Sequence, residues 1–188
     1  MFSGRATSIN ATIGGINVIL NDTGDLPPNG GFIERELASA DLFGGTLTTG
    51  LLTAITQGGF EQSRSQVIVY NLNLMLGGNT FASDVFAVST QCTCQESGPP
   101  ICDGGVFANF RINGEAFPLG PINQRVELPG AGGGFVIFNE QIRTVSGSSA
   151  SLTINGVHII IPDNPIIPGD QGANIIFSSA HSDINCSQ

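Results

Sequence analysis

Short runs in which apolar and polar residues alternate recur along the chain, with the two-residue period of half-buried β-strands. Between Ala6 and Leu20 the apolar positions Ile9, Ala11 and Ile13, then Ile16, Val18 and Leu20, are split by Gly14-Gly15. That pair marks a hairpin turn or a bulge between two strands. Gln66 to Leu76 reads as a strand with Val67, Val69, Asn71 and Asn73 on one face. Its other face carries Ile68, Tyr70, Leu72, Leu74 and Leu76, and Gly77-Gly78-Asn79 turns the chain into a second strand over Thr80–Thr90. Asn113-Gly114 predicts a type I′ turn, because it supplies the positive φ that the turn requires. Asn155-Gly156, between Ser151–Ile154 and Val157–Ile161, repeats this strand–turn–strand pattern. Leu42 to Thr56 is apolar, but its β-branched residues and its glycines at 44, 45 and 50 argue against a helix. Residues 21–31, 130–134 and 162–172 read as loops by composition. About eleven short strands without a dividing linker predict one all-β domain over 1–188, an antiparallel β-sandwich of jelly-roll character.

Composition narrows the function classes. Only 11% of the residues are charged, and Ser, Thr, Asn, Gln and 26 Gly supply the polar and turn positions. The net charge is −9, and the six basic residues are all arginines, none close to another in sequence: Arg5, Arg35, Arg64, Arg111, Arg125 and Arg143. Nucleic-acid backbones are held by clustered positive charge, so no nucleic-acid partner is expected. The longest apolar stretch, Val67 to Leu76, is interrupted by Asn71 and Asn73 and is too short to span a bilayer, so no membrane insertion is expected. Met1-Phe-Ser-Gly-Arg5 does not read as a signal peptide, so the expectation is either that export signals have been cut from this chain or that it leaves by another route, such as release from a lysing mother cell.

The four cysteines are Cys92, Cys94, Cys102 and Cys186. Zinc ligation favours two to four residues between paired cysteines with a second pair or histidines nearby, whereas here the fourth cysteine is distant and Pro99-Pro100 lies inside the loop. Disulfides are therefore the expectation, and with them an extracellular or cell-surface location. Three pairings are open. Asp84–Cys92 and Ile175–Cys186 both run as strand-like segments into cysteine. Side by side they would be stapled by Cys92–Cys186, leaving Cys94–Cys102 to close the Gly-Pro-Pro loop, and this pairing is favoured.

Candidate chemistry is sparse. Ser179, His181 and Asp183 alternate onto one strand face, about 6.5–7 Å apart along the strand, too far for direct triad bonds. No Gly-x-Ser-x-Gly elbow is present. The second histidine, His158, sits in an alternating strand. Glu34, Glu36 and Glu140 are the carboxylates that a glycosidase would have to pair across a cleft. No cofactor is expected, although Asp22 and Asp25, with Asp163, Asp170 and Asp183, lie in or near loops where carboxylates ligate calcium. Asp22-Thr23-Gly24-Asp25 serves equally well as an Asx-turn set. Without tryptophan and with Tyr70 as its one tyrosine, the chain lacks the aromatic platform usual in sugar-binding modules, and its twelve Phe are expected in core or interface.

Several segments together resemble one family. They are Gly4-Arg5-Ala6-Thr7, Asp22-Thr-Gly24 with Leu26-Pro-Pro28 and Gly30-Gly31, Asn71-Leu-Asn-Leu74, Val126-Glu-Leu-Pro-Gly130 and Val136-Ile-Phe-Asn-Glu-Gln141. Val157-His-Ile-Ile-Ile-Pro162 and Ser178-Ser-Ala-His-Ser-Asp183 with Cys186 complete the set. The chain resembles the choice-of-anchor P type of bacterial surface protein over nearly its whole length. The resemblance implies an exported domain held by a varying C-terminal anchor, and it carries no activity.

The expectation is a non-enzymatic extracellular structural protein, a subunit of a surface fibre, layer or matrix that self-associates into a homopolymer through β-strand edges. Residues 1–13 are the expected exchangeable strand, with Arg5, Thr7, Ile9, Ala11 and Ile13 as its assembly positions. The alternative is a surface adhesive or glycan/protein-binding β-sandwich module.

Overall fold

A computed structural model describes residues 1–130, 134–163 and 172–186. The strands are β1 (Phe2–Ile13), β2 (Ile16–Asp22), β3 (Gly31–Leu37), β4 (Ala40–Leu42), β5 (Leu47–Thr49), β6 (Leu52–Gly59), β7 (Gln62–Leu76) and β8 (Asn79–Thr93). They continue with β9 (Ile101–Ile112), β10 (Glu115–Ala116), β11 (Gln124–Glu127), β12 (Phe135–Ser146), β13 (Ser149–Ile161) and β14 (Ala173–Asn185). Among the described residues there is no helix, and so none long and apolar enough to cross a membrane. One sheet has the order β11-β12-β13-β14-β1-β2. The other runs β10-β9-β8-β7, after which β7 is flanked by β5-β4 along one stretch and by β6-β3 along another. The two antiparallel sheets pack face to face as the sandwich that alternation predicts. Hairpin meanders join most of the strands, and this order gives no support to the finer jelly-roll label.

Several predicted turns are present. Gly14 and Gly15, Gly77 and Gly78, and Asn113 and Gly114 all take positive φ between paired strands, the backbone form that two-residue hairpins need. Gly58 and Gly59 lie within β6, and the reversal into β7 is made by Phe60 and Glu61, with φ of 50° and 61°. One expected turn is corrected. Asn155-Gly156 is no turn at all, because β13 runs straight through it.

The expected faces of β7 also change, through a crease that crosses each sheet. Asn71 has a φ of 51°, and this single left-handed residue shifts the alternation by one. Val67 and Val69 before it and Leu72 and Leu74 after it therefore all face the core. In the other sheet Asn139, Ser178 and Asn21 take φ of 51°, 56° and 51°. They fall at the same level of their ladders as Gly156 and Ser8. There β13 passes from burying Leu152 and Ile154 to burying Val157 and Ile159, and β14 from Ile175 and Phe177 to Ala180 and Ser182.

The core is a wedge. Its thick end holds Phe81, Phe86, Phe110 and Phe138, with Phe110 edge-on to Phe138 at 5.1 Å between centroids. Its thin end is lined by small and hydroxylic residues that bond one sheet to the other. Ser63 Oγ donates to the Ser3 carbonyl at 2.6 Å, Ser65 Oγ to the His181 carbonyl at 2.6 Å, and the Thr90 and Ser182 hydroxyls meet at 2.8 Å. A buried hydroxyl without a partner costs about 1–3 kcal/mol, so these bonds fix the relative position of the sheets.

Both disulfides sit at this thin end, and they are not the favoured pair. Cys92 is bonded to Cys102, and Cys94 to Cys186. The antiparallel register of β8 and β9 places Cys92 directly opposite Cys102, whereas Cys94 lies past the end of β8, beside the end of β14. Strands β8 and β14 lie in opposite sheets, so they are never the side-by-side pair that Cys92–Cys186 was meant to staple. Two bridges of this kind mark an oxidising compartment.

The N-terminal strand is built into the interior of the first sheet. β1 is hydrogen-bonded on both sides, to β14 and to β2, and buries Ala6, Ile9 and Ala11 completely. Arg5 and Thr7 turn to the outer face, and Ile13 packs against the margin of the core. Exchange of this strand between copies would have to break both ladders.

Candidate functional site

Polar side chains concentrate where the crease reaches the outer face of the β11–β2 sheet. Register pairs Glu140 with Asn155, Asn155 with Ser179, Ser179 with Thr7, and Thr7 with Asp22, so five strands contribute one continuous row. Asn155 Nδ2 donates to Glu140 Oε2 at 2.7 Å, Ser179 Oγ to Asn155 Oδ1 at 2.8 Å, and Thr7 Oγ1 to Asp22 Oδ1 at 2.9 Å. At one end His158 Nδ1 lies 3.0 Å from Glu140 Oε2, and its Nε2 lies 2.9 Å from Asn174 Oδ1. At the other end Arg5 Nε and Nη2 grip the two oxygens of Asp22 at 2.9 and 2.5 Å.

This geometry decides several sequence candidates. Ser179, His181 and Asp183 share the outer face of β14, as their spacing predicts. Ser179 donates to Asn155 and His181 Nδ1 meets Thr153 Oγ1 at 2.9 Å, so the serine and the imidazole are engaged with β13 rather than with each other. Glu34 and Glu36 lie on β3 in the other sheet from Glu140 and form no carboxylate pair with it. Asp22, the first calcium candidate, already holds Arg5, the Thr7 hydroxyl and the Gly24 N–H, while Asp25 is exposed at 3.8 Å from the Arg5 guanidinium. A cation there would have to displace a guanidinium. Among the described residues no group of three or more His, Cys, Asp or Glu is arranged to hold a metal; Asp170 lies outside them.

The two histidines are tuned in opposite directions. The hydrogen bond to Glu140 raises the His158 pKa against the effect of burial, and the same bond draws the Glu140 carboxyl below its usual range. Burial lowers the pKa of His181. Burial would push Asp22 up, but Arg5, the Gly24 N–H and Thr7 together hold it low. The raised His158 value means that its contribution is complete below the ordinary imidazole pKa and is lost as pH rises through the folded value; His181 behaves in the opposite sense. His158→Gln is therefore expected to lower the melting temperature by about 2–4 °C near pH 5.5, for a pair worth about 1 kcal/mol, and by less near pH 8.5. Thermal melts of both proteins across that range check this, and a gap that widens with pH would contradict it.

Two surface features were not singled out from sequence. Phe60, at the tip of the β6–β7 turn, is fully exposed, and with Phe32, Gln57 and Gln62 it lines a groove of about 380 Å³. The glycines at 58 and 59 masked this turn in the sequence. The other feature is the contrast among strand edges. β3 is guarded by Glu34, Arg35 and Glu36, and β11 by Arg125 and Glu127, while β4 and β10 are only three and two residues long. β2 carries no charge before Asp22 and exposes Ile16 and Ile19. β9 continues past β10 with Ile101 and Phe107 exposed and Asp103 as the one charge before Arg111. These two open edges lie on opposite flanks, β2 beside β3 and β6, and β9 beside β13. Compared with known proteins, the chain matches no family model, no curated protein and no solved structure.

Proposed function

We propose that this protein is a non-enzymatic extracellular structural subunit that assembles into a fibre, layer or matrix through β-strand edges. The observation that carries the reading is the pair of sparsely charged edges, β2 and β9, on opposite flanks of one sandwich. An open edge is a row of unpaired backbone donors and acceptors, and proteins that stay monomeric blunt such rows with charge, proline or short strands. One such contact makes a closed pair, whereas two on opposite flanks extend without closing. The polar row supports the same reading, since its side chains are spent on one another across five strands. Two disulfides suit an oxidising exterior, and the resemblance to choice-of-anchor P proteins points to the cell surface. Because β1 is paired on both sides, this proposal puts the assembly contacts on β2 and β9 ahead of residues 1–13.

The test is negative-stain electron microscopy with sedimentation over a concentration series. Filaments or sheets are expected for the unmodified chain, and Ile16→Lys/Ile19→Lys, which charges the β2 edge, is expected to reduce them to small oligomers while the melting temperature holds. A monomer at every concentration would overturn the proposal. The adhesive reading has one observation in its favour, the Phe32–Phe60 groove, and binding of a glycan or peptide that Phe60→Ala abolishes would move the assignment there.

A further inference from the structure

We propose that residues 101–109 of β9 pair antiparallel with the same residues of a second copy, about a two-fold axis at Gly105. This rests on the edge-assembly reading and names one of its contacts. Along one side β9 pairs with β8; along the other, β10 covers only Arg111 and Ile112, and the Phe117 N–H takes the Phe110 carbonyl. On that second side, no strand among the described residues lies beside the stretch from 101 to 109.

Backbone parity limits how a second strand could add. Cys92 and Cys102 face each other with Cα atoms 4.0 Å apart, the close spacing of a pair that does not exchange backbone hydrogen bonds. Cys102 therefore turns its N–H and C=O away from β8, and the two-residue period repeats this at Gly104, Val106, Ala108 and Phe110. The Phe110 carbonyl, already taken on the β10 side, agrees with that phase. Two β9 strands can exchange hydrogen bonds only if even-numbered residues meet even-numbered ones.

Length then selects the register. Beyond Asn109 the edge is occupied by β10, and before Ile101 stands Pro100, which has no N–H to offer. The arrangement that uses the whole free stretch without driving Ile101 into the partner's β10 sets 101 against 109. Its centre is Gly105. Cys102 then exchanges hydrogen bonds with Ala108, and Gly104 with Val106, each twice by symmetry. On the outer face glycine meets glycine at the axis, where the Gly105 Cβ position is open. Phe107, 70% exposed, comes opposite Asp103 and diagonal to Ile101 and Gly105, so its ring covers an exposed isoleucine and a bare glycine.

In the single copy two of the outward groups are capped locally. Arg143 donates to the Cys102 carbonyl, and the Gly104 N–H donates to the carboxylate of its neighbour Asp103 at 2.8 Å. Pairing exchanges these side-chain caps for backbone partners.

The register is tested by charge and by cross-linking in the 188-residue chain. Phe107→Asp sets a carboxylate opposite the second copy's Asp103 and is expected to remove the β9 contact in sedimentation, while Phe107→Asp/Asp103→Arg restores it. Gly105→Cys is expected to give a disulfide-linked dimer of twice the 19.4 kDa chain on non-reducing gels. Phe107→Cys, whose opposite number is Asp103, is expected to give little. Equal cross-linking of the two, or assembly indifferent to Phe107→Asp, would overturn this contact while leaving edge assembly standing. An unmodified chain that stays monomeric at every concentration overturns the edge reading itself, and this contact with it.

Discussion

Replacing Cys94 and Cys186 by serine is expected to lower the unfolding free energy by about 4 kcal/mol, a large share of a typical domain's stability. The bridge spans 92 residues of sequence, and in the chain-entropy picture a loop of that length removes more freedom from the unfolded chain than the ten-residue span of Cys92–Cys102, which is worth about 2.5–3 kcal/mol. The bridge also fastens one sheet to the other, because Cys94 follows β8 and Cys186 follows β14. Serine fits the half-buried ends without stranding a polar group in the core. Urea unfolding of Cys94→Ser/Cys186→Ser against the parent measures the effect, and a loss below about 1 kcal/mol would show that the unfolded chain keeps these ends together without the bridge. Exposure ranks the bridges under reductant. Cys92 is fully buried and Cys102 nearly so, whereas Cys94 and Cys186 are half-buried. Mild thiol treatment followed by alkylation is expected to label residues 94 and 186 first.

The sandwich was legible because alternation is a local signal, and so were the hairpins at Gly14-Gly15, Gly77-Gly78 and Asn113-Gly114. The disulfide pairing was not. Cys92 and Cys94 have the same parity along the chain, so both point to the same side of a strand; what separates them is the register of β8 on β9 and the end of β8 at Thr93. Register is set by packing between sheets and by loop length, neither of which alternation reports. The outer face of β14 was read correctly, with Ser179, His181 and Asp183 together. Their partners Asn155 and Thr153 belong to β13 and Thr7 to β1, and no spacing rule reaches across those distances. The faces of β7 were misread because a single left-handed Asn shifts every later side chain, and asparagine in an apolar run also reads as an ordinary outward residue.

Gly156→Ala is expected to destabilise the protein by about 1–3 kcal/mol through crowding alone. Its φ lies outside the left-handed region, so the backbone there does not require glycine. The missing side chain is what the fold uses. A methyl at this position would sit 2.5 Å from Phe86 Cε1 and 2.7 Å from Val88 Cγ2, inside the distance at which carbon atoms repel. Phe86 cannot step aside, because it is fully buried with its centroid 6.1 Å from that of Phe110. The same dipeptide at Asn113-Gly114 works in the opposite way. Gly114 has a φ of 82° and open space around its Cβ position, so Gly114→Ala costs backbone strain of about 1 kcal/mol and crowds nothing. A double-mutant cycle with Phe86→Leu separates the two causes. Shrinking the ring is expected to recover about 1 kcal/mol or more of the Gly156→Ala loss and none of the Gly114→Ala loss. Equal recovery at both sites, or at neither, would refute the packing account of Gly156. Two identical dipeptides thus do different physical work, one bending the chain between β9 and β10, the other letting the β13 backbone lie against the aromatic core.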